Sequence, residues 1–172
     1  MFSQKLQDSI NDQINAELHS AYIYLSMSAF LEDKTLPGFA HWMKLQYEEE
    51  VFHAMKLFDF MNDRGGRVKL QAIEAPAAEF GTPLAVFQKA LEHEQYITDR
   101  ISDLYQLALA EGDYPTQVLL QWFIEEQVEE EKNAGDAVAQ LELIGDSGLG
   151  ILMMDREMAA RQAAPAAEPA AA

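Results

Sequence analysis

Four long segments of the chain carry apolar residues at steps of three and four, and each segment interrupts this pattern with polar residues near its middle. Residues spaced in this way line up along one side of a helix, and we call each such line a seam. The second seam runs through Phe39, Met43, Gln46, Glu50, His53, Leu57 and Phe60. Glu17 interrupts the first seam, Glu94 the third, and Gln127 with Glu130 the fourth. The pattern predicts four helices packed around a core that contains acid, amide and imidazole groups.

Carboxylates at core positions require a partner, because an unpaired buried charge costs several kcal/mol. Cations between the helices would neutralise these acids, and the net charge of −17 makes cations the natural small partners. The chain contains no cysteine, so a metal must be bound by oxygen and nitrogen ligands. Such ligands favour iron, manganese or zinc.

Composition also excludes several classes of partner. The negative charge disfavours binding to nucleic acid and to anionic membrane surfaces. No stretch approaches the roughly 20 apolar residues of a membrane span, and the first residues do not resemble a secretory signal. A single cytoplasmic domain is the prediction for a chain of 172 residues.

Capping and breaking residues predict the helix boundaries. Helices are expected from Ser3 to about Glu32, Pro37 to about Arg64, Thr82 to about Glu111, and Asp113 to Ile144. Short turns predict two antiparallel hairpins, and residues 67–82 are long enough to cross over between them. A short fifth helix from Ser147 to Ala160 completes a domain of residues 1–160, and residues 161–172 are predicted to be a disordered tail rich in alanine and proline. The fold class is therefore an all-α four-helix bundle.

Glu50 and His53 lie one turn apart on the same side of the second helix, a spacing that can hold one metal ion. If Glu50 bridges two ions, one site uses Glu17, Glu50 and His53, and its neighbour uses Glu50, Glu94 and Glu130. Two adjacent redox-active ions can together supply the two electrons that reduce dioxygen to peroxide. The seams therefore predict a dinuclear oxidation centre.

Further polar residues lie on or beside the seams. Tyr24 is two turns from Glu17, where it is either a core aromatic or a group that hydrogen-bonds a ligand or donates an electron. Glu49, Glu126 and Glu129 border the seams within two acidic runs. Other acids in those runs are predicted to face solvent.

The chain resembles the non-haem ferritins, especially the bacterial type. The segments that carry this resemblance are NDQINAELHSAYIYLSMSAF, HWMKLQYEEEVFHAMKLFDFMNDRGG, ALEHEQYITDRISDL and LLQWFIEEQVEEE. The resemblance implies a ferroxidase subunit that oxidises Fe(II) with dioxygen or peroxide. It also implies a hollow shell of twenty-four copies that stores ferric mineral, with the fifth helix lining the four-fold axis.

The resemblance also implies roles for particular residues. The dinuclear iron centre would comprise Glu17, Glu50, His53, Glu94 and Glu130, with Gln127 beside it. A third iron site, typical of the bacterial proteins, would comprise Glu49, Glu126, Glu129 and Glu130.

One departure separates the chain from a related group, the bacterioferritins. Their doubled Glu-x-x-His pattern is incomplete here, because the fourth helix has Gln127-x-x-Glu130. No haem is therefore predicted, and the second metal is expected to be the weaker one because it lacks a histidine. Rubrerythrin-like di-iron proteins, DNA-protecting mini-ferritins and a metal-free bundle that binds a basic partner are alternatives. The first need cysteines that are absent, and the second lack the fifth helix.

Overall fold

The computed structural model describes residues 2–162, which fold into five α-helices. α1 spans Gln4–Asp33, α2 Pro37–Asp63, α3 Pro83–Ala110, α4 Tyr114–Ile144 and α5 Gly148–Met158. Each boundary lies within two residues of the predicted one, so the all-α bundle with a short fifth helix is confirmed. None of these five helices is long and apolar enough to cross a membrane. Residues 163–172 of the predicted tail lie outside the described residues.

Side-chain caps explain where three of the long helices begin. Ser3 caps α1, Thr82 caps α3 and Asp113 caps α4, each by accepting a hydrogen bond from the backbone amide three residues further on. Asp113 also accepts two hydrogen bonds, at 2.9 and 2.8 Å, from the guanidinium of Arg64. This guanidinium holds the pKa of Asp113 well below its usual range. The pair ties the end of α2 to the start of α4.

The connections produce two antiparallel hairpins joined by a long crossover. α1 packs along α2, and α3 packs along α4. Thr35 in the first turn has a φ of 61° and Gly112 in the second a φ of 63°, so each turn reverses the chain through the left-handed region. The predicted pairing of helices is confirmed.

The crossover runs along α1. Near the start of α1, the side chain of Asn11 donates to Arg67 O at 3.1 Å and accepts from Lys69 N at 2.7 Å. Further along, Ser26 donates to Ala77 O at 2.6 Å. Asn11 and Ser26 are separated by about 22 Å of helix at the usual rise, so residues 67–77 bridge much of the length of the bundle.

The apolar core is divided into two clusters. One contains Phe39, Met43, Phe87 and Leu141, and the other contains Ile10, Leu57, Ile97 and Phe123. On α2, Met43 belongs to the first cluster and Leu57 to the second, while Glu50 and His53 lie between them. The polar seam residues are therefore enclosed by apolar packing at both ends.

α5 packs against the beginning of α2. The Asp155 carboxylate accepts a hydrogen bond from Phe39 N at 2.9 Å. A β-carbon on Gly38 would lie 1.6 Å from the carbonyl oxygen of Asp155, so this seat requires glycine. α5 thus packs on α2, whereas its predicted place at a four-fold axis stays a prediction.

Candidate metal centre

The six seam residues predicted to carry the chemistry all point into the bundle. They are Glu17 on α1, Glu50 and His53 on α2, Glu94 on α3, and Gln127 and Glu130 on α4. Each is at most 5% exposed. Four helices therefore deliver polar side chains to one enclosed region, as the seams predicted.

The first group of candidate ligands joins α1 to α2. Ligand atoms of Glu17, Glu50 and His53 all lie within 4.8 Å of one another. Nδ1 of His53 is 3.8 Å from Oε2 of Glu50. Oε2 of Glu17 and Oε2 of Glu50 are buried without a hydrogen-bond partner. Because buried carboxylate oxygens are normally satisfied, these two atoms fit a cation between them.

A second group shares the same histidine. Ligand atoms of His53, Glu126 and Glu130 also lie within 4.8 Å of one another. From the sequence, Glu130 was instead predicted to share a metal with Glu50 and Glu94, and no histidine was predicted near this second metal. Within residues 2–162, Glu94 belongs to neither group. His53 is thus the residue that the two alternative groups share, and Glu126 contributes to the second.

The carboxylate of Glu94 lies in a hydrogen-bond network and not in either group of candidate metal ligands. The hydroxyl of Tyr24 donates to Oε1 of Glu94. Nε2 of Gln127 is 3.2 Å from Oε2 of Glu94 and 3.3 Å from Oγ1 of Thr98. Tyr24 is fully buried, and burial together with the charge of Glu94 raises its pKa well above 10. Two of the alternatives for Tyr24 are present in the structure, because it belongs to the first apolar cluster and also hydrogen-bonds a candidate ligand.

Two glutamine side chains for which no role was predicted also donate hydrogen bonds to the acids. Nε2 of Gln13 donates to Oε1 of Glu17 at 2.9 Å, and Nε2 of Gln46 donates to Oε2 of Glu130 at 2.6 Å. Both glutamines are buried. A signal for each was in the sequence, because Gln13 precedes Glu17 by one turn and Gln46 lies on the second seam.

Burial and mutual repulsion raise the pKa values of the acids. Burial raises the pKa of Glu94 to about 7. Burial and then the charge of Glu94 raise the pKa of Glu130 to about 8. The pKa of Glu50 is raised well above its usual value by burial, followed by the charges of three neighbouring glutamates. A cation that binds here must therefore displace protons.

His53 is prepared to act as a neutral ligand. Burial, with a smaller effect from Lys56, lowers its pKa to about 4, so the imidazole is uncharged at neutral pH. Its ring packs edge-on against Trp122 and Phe123, with centroids 5.4 and 5.9 Å away. These contacts fix the ring between α2 and α4.

The remaining acids of the predicted third iron site are more accessible. Glu49 and Glu126 are half-buried, and Glu129 is exposed. Oε2 of Glu49 is 3.2 Å from Nη2 of Arg161. The sequence assigned Arg161 to a disordered tail, whereas the structure places its guanidinium on α2.

The matches to known proteins cover the part of the chain that forms the helical bundle. Residues 7–144 match the family described as Ferritin-like domain. The chain belongs to the ferritin family. It is 42% identical over 161 residues to a bacterial non-heme ferritin of Bacteroides fragilis, covering 94% of this chain and 100% of that protein. A bacterial non-heme ferritin of Staphylococcus saprophyticus is 39% identical over 161 residues, covering 94% of this chain and 96% of that protein.

Solved ferritins have the same fold. An open pore ferritin from the hyperthermophilic archaeon Archaeoglobus fulgidus superposes with a TM-score of 0.93 at 48% identity, covering 94% of this chain and 100% of that one. A humanized archaeal ferritin gives a TM-score of 0.95 at 46% identity, covering 96% and 100%. The chain is thus a subunit of an iron-storage ferritin, and its buried acids and imidazole are candidate iron ligands.

Proposed function

We propose that this ferritin subunit is a ferroxidase. Its centre would comprise Glu17, Glu50, His53, Glu94 and Glu130, with Gln127 beside it. Two ferrous ions give one electron each to dioxygen, which takes up two protons and leaves as hydrogen peroxide; with peroxide as oxidant, the same two electrons yield water. The observation that supports this proposal most strongly is the buried group of Glu17, Glu50 and His53, whose ligand atoms all lie within 4.8 Å of one another.

The side chains divide the work between binding and positioning. Neutral His53 and the unpartnered oxygens of Glu17 and Glu50 bind the ferrous substrate. Gln13 and Gln46 orient the carboxylates of Glu17 and Glu130 by donating hydrogen bonds. Tyr24 holds Glu94 in the same way, and its donation of a further electron remains a proposal. The oxygen-rich set suits hard iron ions in both oxidation states.

We also propose the assembly and the fate of the product. Membership of the ferritin family supports an oligomeric cage, for which we propose twenty-four copies enclosing ferric oxyhydroxide mineral. A third iron site of Glu49, Glu126, Glu129 and Glu130 would lie on the path from the centre to the cavity. Light scattering tests the assembly, because a particle of twenty-four chain masses supports it and a dimer contradicts it. A cytoplasmic location also stays a prediction.

Addition of ferrous ions under air tests the proposed activity. A ferroxidase that stores its product should oxidise many equivalents per chain and leave a soluble ferric core. A protein with a fixed di-iron cofactor should stop near two equivalents per chain. A metal-free bundle should accelerate no oxidation beyond the rate in buffer, and either of the last two results would contradict the proposal.

Cation binding to this centre is expected to release protons at neutral pH. Glu94 and Glu130, with pKa values of about 7 and 8, carry protons that a ligated carboxylate must lose. Apparent affinity for Zn²⁺ should therefore fall as pH is lowered from 8 to 6, approaching about tenfold per pH unit for each proton displaced. Isothermal titration calorimetry in buffers of different ionisation enthalpy measures this release. Glu94→Gln should reduce it, the exposed control Glu125→Gln should not, and pH-independent binding would contradict the expectation.

A further inference from the structure

Arg161, which follows α5, is fixed to α2 by both its side chain and its backbone. Its guanidinium donates to Oε1 of Gln46 and to Glu49, and it lies 4.8 Å above the ring of Trp42. Its carbonyl oxygen accepts a hydrogen bond from Nε2 of His41 at 3.0 Å. These contacts bring the end of the described chain to the acids beside the candidate metal centre.

The guanidinium lies on a carboxylate of the proposed third iron site. The side chains of Arg161 and Glu49 are 22% and 17% exposed, so water screens their pair only in part. Glu49 belongs to the acids of the proposed third iron site, where a positively charged iron ion would need the same carboxylate oxygens. Arginine stays charged at every pH at which the protein is folded, so the guanidinium is a permanent competitor for Glu49.

Arg161 also determines which end of the Gln46 amide faces Glu130. A guanidinium has no acceptor, so it can bond only to the oxygen of the amide. The amide nitrogen of Gln46 is thereby directed to Oε2 of Glu130, to which it donates at 2.6 Å. This hydrogen bond orients the Glu130 carboxylate. Arg161 thus acts on Glu130 without touching it.

We propose that Arg161 is a positioning residue which competes with iron for Glu49 directly and orients the Glu130 carboxylate through Gln46. The proposal rests on the third iron site proposed above. A cation that leaves the dinuclear centre must displace the guanidinium from Glu49, so this site holds iron weakly and passes it on. Arg161, which follows α5, therefore determines how long iron stays at the third site.

Zinc binding to the assembled full-length protein tests this proposal. Arg161→Ala should bind the third Zn²⁺ about tenfold more tightly, the effect of removing one charge-assisted contact. Arg161→Lys keeps the charge but loses the two-pronged donor, so its third affinity should lie between those of Arg161→Ala and the unchanged protein. Arg156→Ala removes an arginine from α5 that has no place in the site and should leave all affinities unchanged.

Fluorescence supplies a readout that a purely structural role would not move. Displacement of the guanidinium from Trp42 should change the emission of this residue as the third equivalent binds. The change should be absent in Arg161→Ala and in Trp42→Phe. If Arg161 serves only to anchor the chain, Arg161→Ala should lower the thermal midpoint while the third affinity and the emission response stay unaltered, which overturns the proposal.

The third site itself is checked separately through Glu129→Ala. A third equivalent that binds to the unchanged protein and is weakened in Glu129→Ala establishes the site, and an unaltered affinity in Arg161→Ala then overturns the role of Arg161 alone. Absence of a third equivalent from the unchanged protein and from Arg161→Ala overturns both proposals, while leaving the dinuclear centre to be judged by its first two equivalents.

Discussion

Replacement of Glu50 by alanine should slow the oxidation of ferrous ions by at least about 100-fold, the upper end of what loss of a group supporting a ligand costs. Glu50 is a member of the first ligand group, and the charges of Glu94, Glu17 and Glu130 all act on it. Glu50 is also the proposed bridge between the two ions, so its removal should disrupt both proposed iron positions. Stopped-flow absorbance of the ferric product measures the rate.

Replacing the Glu50 carboxyl by an uncharged amide should stabilise the fold of the metal-free protein. The raised pKa of Glu50 means that the unfolded chain ionises this carboxyl more easily than the folded one does. Ionisation therefore destabilises the fold above the ordinary pKa of about 4.3, and the effect is absent at lower pH. Glu50→Gln preserves the side-chain volume, so the metal-free variant should have a higher thermal midpoint at pH 7 and an unchanged one near pH 3.

Two controls test whether these effects are specific to Glu50. Glu48→Ala removes an exposed acid from the same acidic run and should alter neither the rate nor the stability profile. Light scattering should give the same particle mass for all three variants. Oxidation at the unchanged rate in Glu50→Ala would refute the proposed bridge, whatever the effect on stability.

The helices and the burial of the centre were predictable because they depend on local and periodic features. Ser3, Thr82 and Asp113 were recognisable as caps, and each caps its helix in the structure. Seam positions also predicted that Glu17 and Glu94 point inward, since a residue at a core spacing has no other direction available. A spacing of three and four residues along a helix thus predicts which side chains are buried.

The grouping of the ligands was less predictable, because it depends on side-chain rotamers and on lateral distances between helices. Glu94 was expected to meet Glu50 and Glu130, but Tyr24 and Gln127 hold its carboxylate in hydrogen bonds. Glu126 borders its seam, yet its carboxylate reaches His53. Spacing along one helix does not determine which of several acids turns towards a neighbouring helix.

Arg161 was the least predictable participant. Its role depends on the packing of α5 against the start of α2, which requires the close approach of Asp155 to Gly38. The alanine-rich composition after Arg161 predicted disorder, since such segments bury little apolar surface. One arginine at the boundary gains a stacking contact with Trp42 and a carboxylate partner, neither of which composition reveals.

Substitution of His53 should weaken one of the two bound cations, since a neutral imidazole has a single free nitrogen and can serve only one of the two ligand groups at a time. His53→Leu retains much of the packing against Trp122 and Phe123, so loss of binding in this variant reports the missing nitrogen ligand rather than a cavity. One of the first two Zn²⁺ equivalents should bind at least about tenfold more weakly, and the other should change less. Calorimetric titration at pH 8, where His53 is neutral, measures the two affinities.

Glu126→Ala is the matched comparison for His53→Leu, because Glu126 belongs to the second group alone. This variant should weaken one equivalent and spare the other, which Glu17 and Glu50 still hold. The contrast assigns His53 to one ion. If His53→Leu and Glu126→Ala weaken the same equivalent, His53 binds in the second group, and if they weaken different equivalents, it binds in the first. Equal weakening of both equivalents in His53→Leu would contradict ligation of a single ion by this ring.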